Sequence, residues 1–158
     1  MHIVVATDAD WVVDELRAAL EEPGTTFTLC TDGRHVAPTV AGRTPDLAIL
    51  DLQVGSMGGM AVAMALRLDE SAGTGPHVPI LMLLDRSADI HLAKRSGVDG
   101  WVIKPLDAMR LRKAARLVTE GGSFFEGVPH PADQVTHDPQ DADMTSDPSA
   151  EDETVTTG

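Results

Sequence analysis

The sequence predicts an α/β domain built on a doubly wound parallel sheet of five strands and five helices. Five short apolar runs alternate with segments of helical periodicity. Two of the runs, 47–52 and 78–84, are apolar almost throughout, which is typical of strands buried on both faces. Glycine and proline pairs such as Pro23–Gly24 separate the segments. A strand–helix alternation of this kind predicts a parallel sheet with right-handed crossovers.

The first half of the chain supplies three strands and two helices. Residues 2–6 form an apolar strand (β1), and a helix (α1) follows with apolar residues at helical spacing until Pro23–Gly24 ends it. Residues 26–31 alternate as a second strand (β2). A short helix at 35–41 (α2) is weakened by its proline. The third strand, 47–52 (β3), carries an acid, Asp51, at its carboxyl end.

The second half adds three helices and two strands. Residues 59–70 (α3) carry methionine and leucine on one face. The strand at 78–84 (β4) leads to a short helix at 88–96 (α4). The strand at 100–103 (β5) precedes the helix at 107–119 (α5), which has leucine, alanine and valine inward and arginine and lysine outward. Gly121–Gly122 closes that helix.

Composition limits the class of protein. No segment is apolar enough to insert in a membrane, and the N-terminus enters a strand directly, without an export signal. The single cysteine, Cys30, fits a reducing compartment, so we expect a cytoplasmic protein. The six histidines show no ligand spacing and are expected at the surface.

The net charge of −13 is unevenly distributed. From Gly121 onward there are nine acids and no Lys or Arg, whereas the first 120 residues carry a net charge of only −4. Neither part offers the basic face that nucleic-acid binding requires. Residues 123–158 are rich in Pro, Asp, Ser and Thr, and we expect them to be a disordered acidic tail.

Charged side chains follow three of the five strands. Asp8 and Asp10 come after β1, Asp51 ends β3, and Lys104 follows β5. The carboxyl ends of parallel strands share one edge of the sheet, where ligands bind. Crowded carboxylates need a cation, and oxygen ligands favour a hard ion such as Mg²⁺. A carboxylate beside Mg²⁺ and a lysine is a candidate phosphoryl acceptor.

Each of these residues also has a simpler interpretation. Asp8 and Asp51 could cap helices, and Asp10 fits an N-cap as well as it fits a second metal ligand. Lys104 could be a solvated loop lysine. The occurrence of Asp8, Asp51 and Lys104 at three strand ends favours the functional interpretation for these residues.

Residues 1–119 resemble the receiver domain of two-component response regulators. Thr7–Asp8 matches the family's acidic pair, Asp51 the phosphoaccepting aspartate, and Lys104–Pro105 the lysine before a proline. The runs 83–86 and 99–107 are similar to those of small actinobacterial stand-alone regulators. The resemblance implies a flavodoxin-like fold of strand order 2-1-3-4-5 and a receiver domain at residues 1–122.

The resemblance also implies the roles of individual residues. Mg²⁺ would bind Asp8, Asp51 and the backbone carbonyl of Gln53, with Asp10 as a further candidate ligand. Lys104 would bind the phosphoryl group, and Lys104–Pro105 is a candidate cis peptide. Trp101 falls on the family's aromatic switch position, although it could instead be a packed edge aromatic.

Three positions depart from the family pattern. The first acid of the acidic pair is Thr7, a neutral residue, and Gly55 stands where a proline is common. The Ser or Thr that ends β4 in the family is Leu84, which cannot hydrogen-bond a phosphoryl group. We therefore expect metal binding and phosphoryl acceptance, with a weakened or rebuilt activation switch.

The leading hypothesis is a stand-alone, non-enzymatic response regulator phosphorylated on Asp51 by a histidine kinase or a small phosphodonor. It would signal through protein contacts at the face formed by α4, β5 and α5 (the α4-β5-α5 face), without binding DNA. The alternative is a receiver-like interaction module that binds its partner independently of phosphorylation. An aspartyl-phosphate phosphohydrolase is disfavoured because Gln53 occupies the position of its second acid.

Overall fold

The structure, a computed structural model, describes residues 1–128 and contains six strands and five α-helices in that range. The strands are β1 His2–Ala6, β2 Thr26–Cys30, β3 Leu47–Asp51, β4 Ile80–Leu84, β5 Gly100–Ile103 and β6 Phe124–Phe125. The α-helices are α1 Asp10–Leu20, α2 Val36–Gly42, α3 Gly59–Ser71, α4 Ile90–Arg95 and α5 Ala108–Thr119.

All six strands pair in parallel in the order β2-β1-β3-β4-β5-β6. The predicted order of the first five strands is confirmed. The sixth strand was not predicted: Phe124–Phe125 returns along the outer edge of β5 after α5 has ended. The first residues of the segment expected to be a disordered tail therefore belong to the sheet. The rest of that segment, 129–158, lies outside the described residues.

The two faces of the sheet carry separate apolar layers, because successive strand residues point to opposite sides. Ile3 and Val5 join α1 and α5 on one side, and Val4 and Ala6 join α2, α3 and α4 on the other. The residues of β1, β3 and β4 are all buried. A fully buried Leu or Ile contributes about 1.5–3 kcal/mol, so these layers hold the strand ends at fixed positions.

The bounds of β4 and α4 differ from the predictions. β4 begins at Ile80, after Pro79, whose nitrogen has no hydrogen to donate. The segment predicted as one helix at 88–96 is a 3₁₀ turn, Ser87–Asp89, followed by the six-residue α4. The Asp89 carboxylate holds that turn, because it accepts from the Arg86 backbone N–H at 3.2 Å and from the Arg86 guanidinium at 3.0 Å. Among residues 1–128 no helix is both long and apolar enough to cross a membrane.

His2 was expected at the surface and is buried, which corrects that prediction. Its Nε2 lies 2.8 Å from the Thr28 hydroxyl, while its Nδ1 is buried without a hydrogen-bond partner. Burial, and next the nearby Arg43 cation, lower the pKa of His2 below its usual value. Its place at the start of a strand that is otherwise apolar throughout could have indicated burial.

We expect the fold to lose stability as pH falls below about 6.5, with His2 contributing to that loss. A histidine whose folded-state pKa is lowered binds protons more readily when unfolded, so its stabilising contribution is complete above the unfolded pKa. Urea unfolding should show that the free energy of unfolding falls less between pH 7.5 and pH 5 for His2→Gln than for wild type. His35→Gln, at an exposed position, serves as the control. Equal losses of unfolding free energy in wild type and His2→Gln would contradict the assignment of this pH dependence to His2.

Candidate functional site

Asp51 lies at the carboxyl end of β3 with its carboxylate buried and held by three hydrogen bonds. Oδ1 accepts from the Gln53 backbone N–H at 3.2 Å and from Lys104 Nζ at 3.0 Å. Oδ2 accepts from the Thr7 hydroxyl at 2.8 Å. Three donors around one carboxylate fix its orientation. Asp51 is therefore an oriented oxygen nucleophile or metal ligand.

Thr7 reaches Asp51 because β1 and β3 are adjacent, with Ala6 paired to Leu50. Its side chain is buried, and its oxygen also accepts from the Ala9 backbone N–H at 3.2 Å. In place of a second acid, this position supplies a hydroxyl that donates to the carboxylate. The substitution lowers the negative charge at the site and adds a hydrogen bond.

Lys104 joins two carboxylates at the edge of the sheet. Its Nζ donates to Asp51 Oδ1 at 3.0 Å and to Asp85 Oδ1 at 2.9 Å, and only 12% of its side chain is exposed. Burial alone would lower the pKa of Lys104, but the hydrogen bonds to Asp85 and Asp51 outweigh it, and the pKa is raised. Lys104 is therefore a fixed positive charge beside Asp51. The peptide bond to Pro105 is cis, as predicted.

Asp85 and Trp11 belong to this site and were not predicted. Asp85 directly follows β4, so the rule that singled out Asp51 could have found it. Its Oδ2 is buried without a hydrogen-bond partner. The ring of the exposed Trp11 lies 5.6 Å from Lys104 Nζ, within cation–π range. No local sequence signal marks Trp11, because it meets Lys104 only through the tertiary fold.

The candidate metal ligands other than Asp51 follow β1 and β3 in the chain. Asp8 is exposed and lies beside Gly55, where an added Cβ would be 3.3 Å from Asp8 Oδ2. A side chain at position 55 would crowd that carboxylate. Asp10 is the first residue of α1 rather than its N-cap, which is Ala9.

The donor chemistry of this edge fits Mg²⁺. Mg²⁺ takes one or two carboxylates and keeps several waters, and Asp51 and Asp8 with the Gln53 carbonyl would supply such a set. Within residues 1–128 no three His, Cys, Asp or Glu side chains are grouped to hold a metal ion. The roles of Asp8, Asp10 and Gln53 as ligands stay predictions.

The two candidate switch positions are both buried. Leu84, fully buried at the end of β4, packs in the apolar layer and brings no hydroxyl to the site. Trp101 points inward with 2% exposure, and its indole N–H donates to the Glu126 backbone carbonyl at 2.8 Å. The switch role of Trp101 stays a prediction.

Comparisons with known proteins agree with this geometry. The profile of the response regulator receiver domain matches residues 3–116. The chain is 31% identical over 135 residues to the transcriptional regulatory protein CseB of Streptomyces coelicolor, covering 80% of this chain and 55% of CseB. It is 33% identical over 120 residues to the DNA-binding response regulator MtrA of Mycolicibacterium smegmatis, covering 73% and 50%. The chain thus spans about half the length of these relatives.

Solved structures share the fold. The chemotaxis response regulator CheY4 of Vibrio cholerae superposes with a TM-score of 0.64 at 23% identity, over 74% of this chain and 97% of that one. The signal receiver domain of the NarL response regulator of Mycobacterium tuberculosis superposes with a TM-score of 0.65 at 24% identity, over 76% and 96%. At these identities the likeness establishes the fold alone.

Proposed function

Because this chain belongs to the family of response regulator receiver domains, we propose that it relays a signal by accepting a phosphoryl group on Asp51. The donor is a histidine kinase or a small phosphodonor. The observation that carries the proposal is the buried Asp51 carboxylate held 3.0 Å from Lys104 Nζ at the carboxyl end of the sheet. That arrangement combines an oriented nucleophile with a fixed cation.

In the proposed transfer, one Asp51 carboxylate oxygen attacks phosphorus and forms an acyl phosphate. The bond from phosphorus to the donor's nitrogen or oxygen breaks, and the donor leaves with that electron pair. Thr7 and the Gln53 amide hold the carboxylate, and Lys104 neutralises charge on the transferred group. When bound, Mg²⁺ would neutralise further phosphoryl charge. Asp8, Asp51 and the Gln53 carbonyl would hold the ion, with Asp10 nearby in sequence.

Output through protein contacts in the cytoplasm is part of the same proposal. Residues 1–120 carry a net charge of −4 and the nine acids that follow have no Lys or Arg among them, so the four basic residues at 110–116 on α5 stand in a chain that is acidic overall. DNA binding depends on clustered positive charge. The name of the MtrA relative includes DNA binding, but that relative is about twice as long as the matched region. We therefore propose the α4-β5-α5 face as the output surface.

Intact mass after incubation with acetyl phosphate tests the acceptor chemistry. We expect one added phosphoryl group on wild type in Mg²⁺, none without Mg²⁺, and none on Asp51→Asn. Asp14→Asn, which changes an exposed acid of α1, should be labelled like wild type. An unlabelled wild type, under conditions that label a control receiver domain, or a labelled Asp51→Asn, would refute the proposal.

The second candidate function is an interaction module that does not switch. Leu84 supplies no hydroxyl, and Trp101 is already buried and hydrogen-bonded to Glu126. Tryptophan emission of the labelled sample, in a Trp11→Phe background, separates the two candidates. A change on labelling supports a phosphorylation switch, whereas unchanged emission supports constitutive binding.

A further inference from the structure

The outer edge of β5 is covered by the chain itself. Residues 124–127, which we call the latch, follow α5 and begin with β6, whose Phe124 and Phe125 pair with Gly100 and Trp101. The absence of a side chain at Gly100 permits this approach, because a Cβ there would lie 2.7 Å from the Phe124 carbonyl oxygen. The latch therefore occupies an edge whose backbone groups would otherwise be open to another strand.

Aromatic stacking fixes the middle of the latch. The rings of Phe125 and Trp101 have centroids 4.5 Å apart at an interplanar angle of 33°. The Trp101 indole donates to the Glu126 carbonyl at 2.8 Å. Phe125 is 43% exposed while Trp101 is buried. The latch residue is thus the outer partner of the pair, and its removal would uncover Trp101.

The Glu126 carboxylate supplies the strongest polar anchors. Oε2 accepts from the Ile103 backbone N–H at 2.7 Å, and Oε1 is paired with the Arg110 guanidinium. Arg110 also donates to the Pro105 carbonyl at 2.6 Å. Both carboxylate oxygens are therefore used, and the partners are a strand-edge amide and a charged side chain of α5.

A short strand held in this way has the features of a bound peptide. Only two latch residues pair with β5, and the latch is otherwise held by its two aromatic rings and by the carbonyl and carboxylate of Glu126. Gly127 passes close to α4 and β5: a Cβ there would lie 3.1 Å from Ile90 Cδ1 and 3.6 Å from Ile103 Cδ1. The latch thus contacts α4, β5 and α5 together. Recognition of extended peptides at sheet edges uses the same combination of backbone pairing and side-chain anchors.

We propose that the latch is an internal ligand of the α4-β5-α5 face, and that a partner docking there displaces it. The partner segment has the same chemistry: an extended backbone along β5, an aromatic residue on Trp101, and a carboxylate at the next position for Ile103 N–H and Arg110. The proposal adds to the output surface proposed above and holds whether or not Asp51 is phosphorylated.

The probe is a blocked peptide of residues 123–127, Ser-Phe-Phe-Glu-Gly, added in trans. The protein is the full chain, as wild type, as Phe125→Ser/Glu126→Gln, and as Glu120→Gln, an exposed acid after α5. In the double variant, the Ile103 amide should exchange with solvent about tenfold faster or more, since a charge-assisted hydrogen bond is lost. The peptide should shift the NMR signals of the Trp101 indole and the Ile103 amide only in this variant.

Three results would overturn the proposal. One is unchanged Ile103 exchange in the double variant. Another is equal peptide shifts in wild type and the double variant. The third is that a peptide with glutamine in place of the glutamate causes the same NMR shifts in the double variant. If the double variant does not fold, Phe125→Ser alone, which alters a partly exposed ring and keeps the Glu126 anchor, carries the comparison of peptide shifts. Labelling of Asp51 plays no part in these measurements, so they succeed or fail independently of the acceptor chemistry.

Discussion

Replacing Lys104 by Met is expected to lower the free energy of unfolding by about 3 kcal/mol at pH 7. Lys104 is the only side chain that the structure pairs as a cation with Asp51 among residues 1–128, and the Asp51 side chain is 3% exposed. Methionine fills similar space but leaves that carboxylate charged, buried and without a counter-ion. Asp85 adds less to the loss, since its side chain is 35% exposed and water can solvate it.

The loss should depend on the charge of Asp51 and so disappear when that charge is removed. Asp51→Asn/Lys104→Met should recover most of the stability lost in Lys104→Met. Lys113→Met, at an exposed position of α5, should change stability by less than about 0.5 kcal/mol.

Urea unfolding of the four proteins measures these differences. Equal stabilities of Lys104→Met and Asp51→Asn/Lys104→Met would contradict the electrostatic explanation and assign the loss to packing of the lysine chain. The pair is also the functional core of the proposed acceptor site. A large recovery of stability in the double variant would therefore mean that the attraction of the unmodified Asp51 holds Lys104 in the resting protein.

The site residues that sequence reasoning found are those whose position depends on a strand end. Asp51 and Lys104 follow buried strands, and parallel strands bring their carboxyl ends together whatever the loops do. The same reasoning, applied to β4, would have added Asp85. The geometry around these residues is less accessible from sequence. That Thr7 donates to Asp51 requires the register of β1 against β3, which no local pattern specifies.

The latch was missed for a different physical reason. A strand of two residues has no measurable alternation, and its surroundings in sequence are polar. Its place depends on contacts with residues far away in the chain, such as Trp101 and Arg110. The acid-rich composition of residues 123–158 predicts disorder, although one of these acids, Glu126, anchors the latch. The local composition favours disorder here, whereas contacts with distant residues favour a strand, and those contacts determine the structure.

The loop behind the acceptor site gives a second large expected effect, at Gly33. Gly33 is buried at the start of the 3₁₀ turn after β2, and its N–H donates to the Gly55 carbonyl at 3.2 Å. An added Cβ would lie 1.9 Å from the Met57 carbonyl oxygen, which belongs to backbone and cannot rotate away. Gly33→Ala should therefore lower the free energy of unfolding by about 2–3 kcal/mol.

The strain should also reach the acceptor edge, because the loop that must move carries Gly55, the neighbour of the Asp8 carboxylate. We expect Gly33→Ala to slow Mg²⁺-dependent labelling of Asp51 as well as to destabilise the fold. The matched control is Gly42→Ala: that residue ends α2 with nothing within 4 Å of its added Cβ, so the change should raise stability by about 0.5 kcal/mol. Urea unfolding and intact mass together test the pair. If the two alanine variants were equally stable, or if Gly33→Ala were labelled at the wild-type rate, the loop would not be held against the site as the contacts indicate.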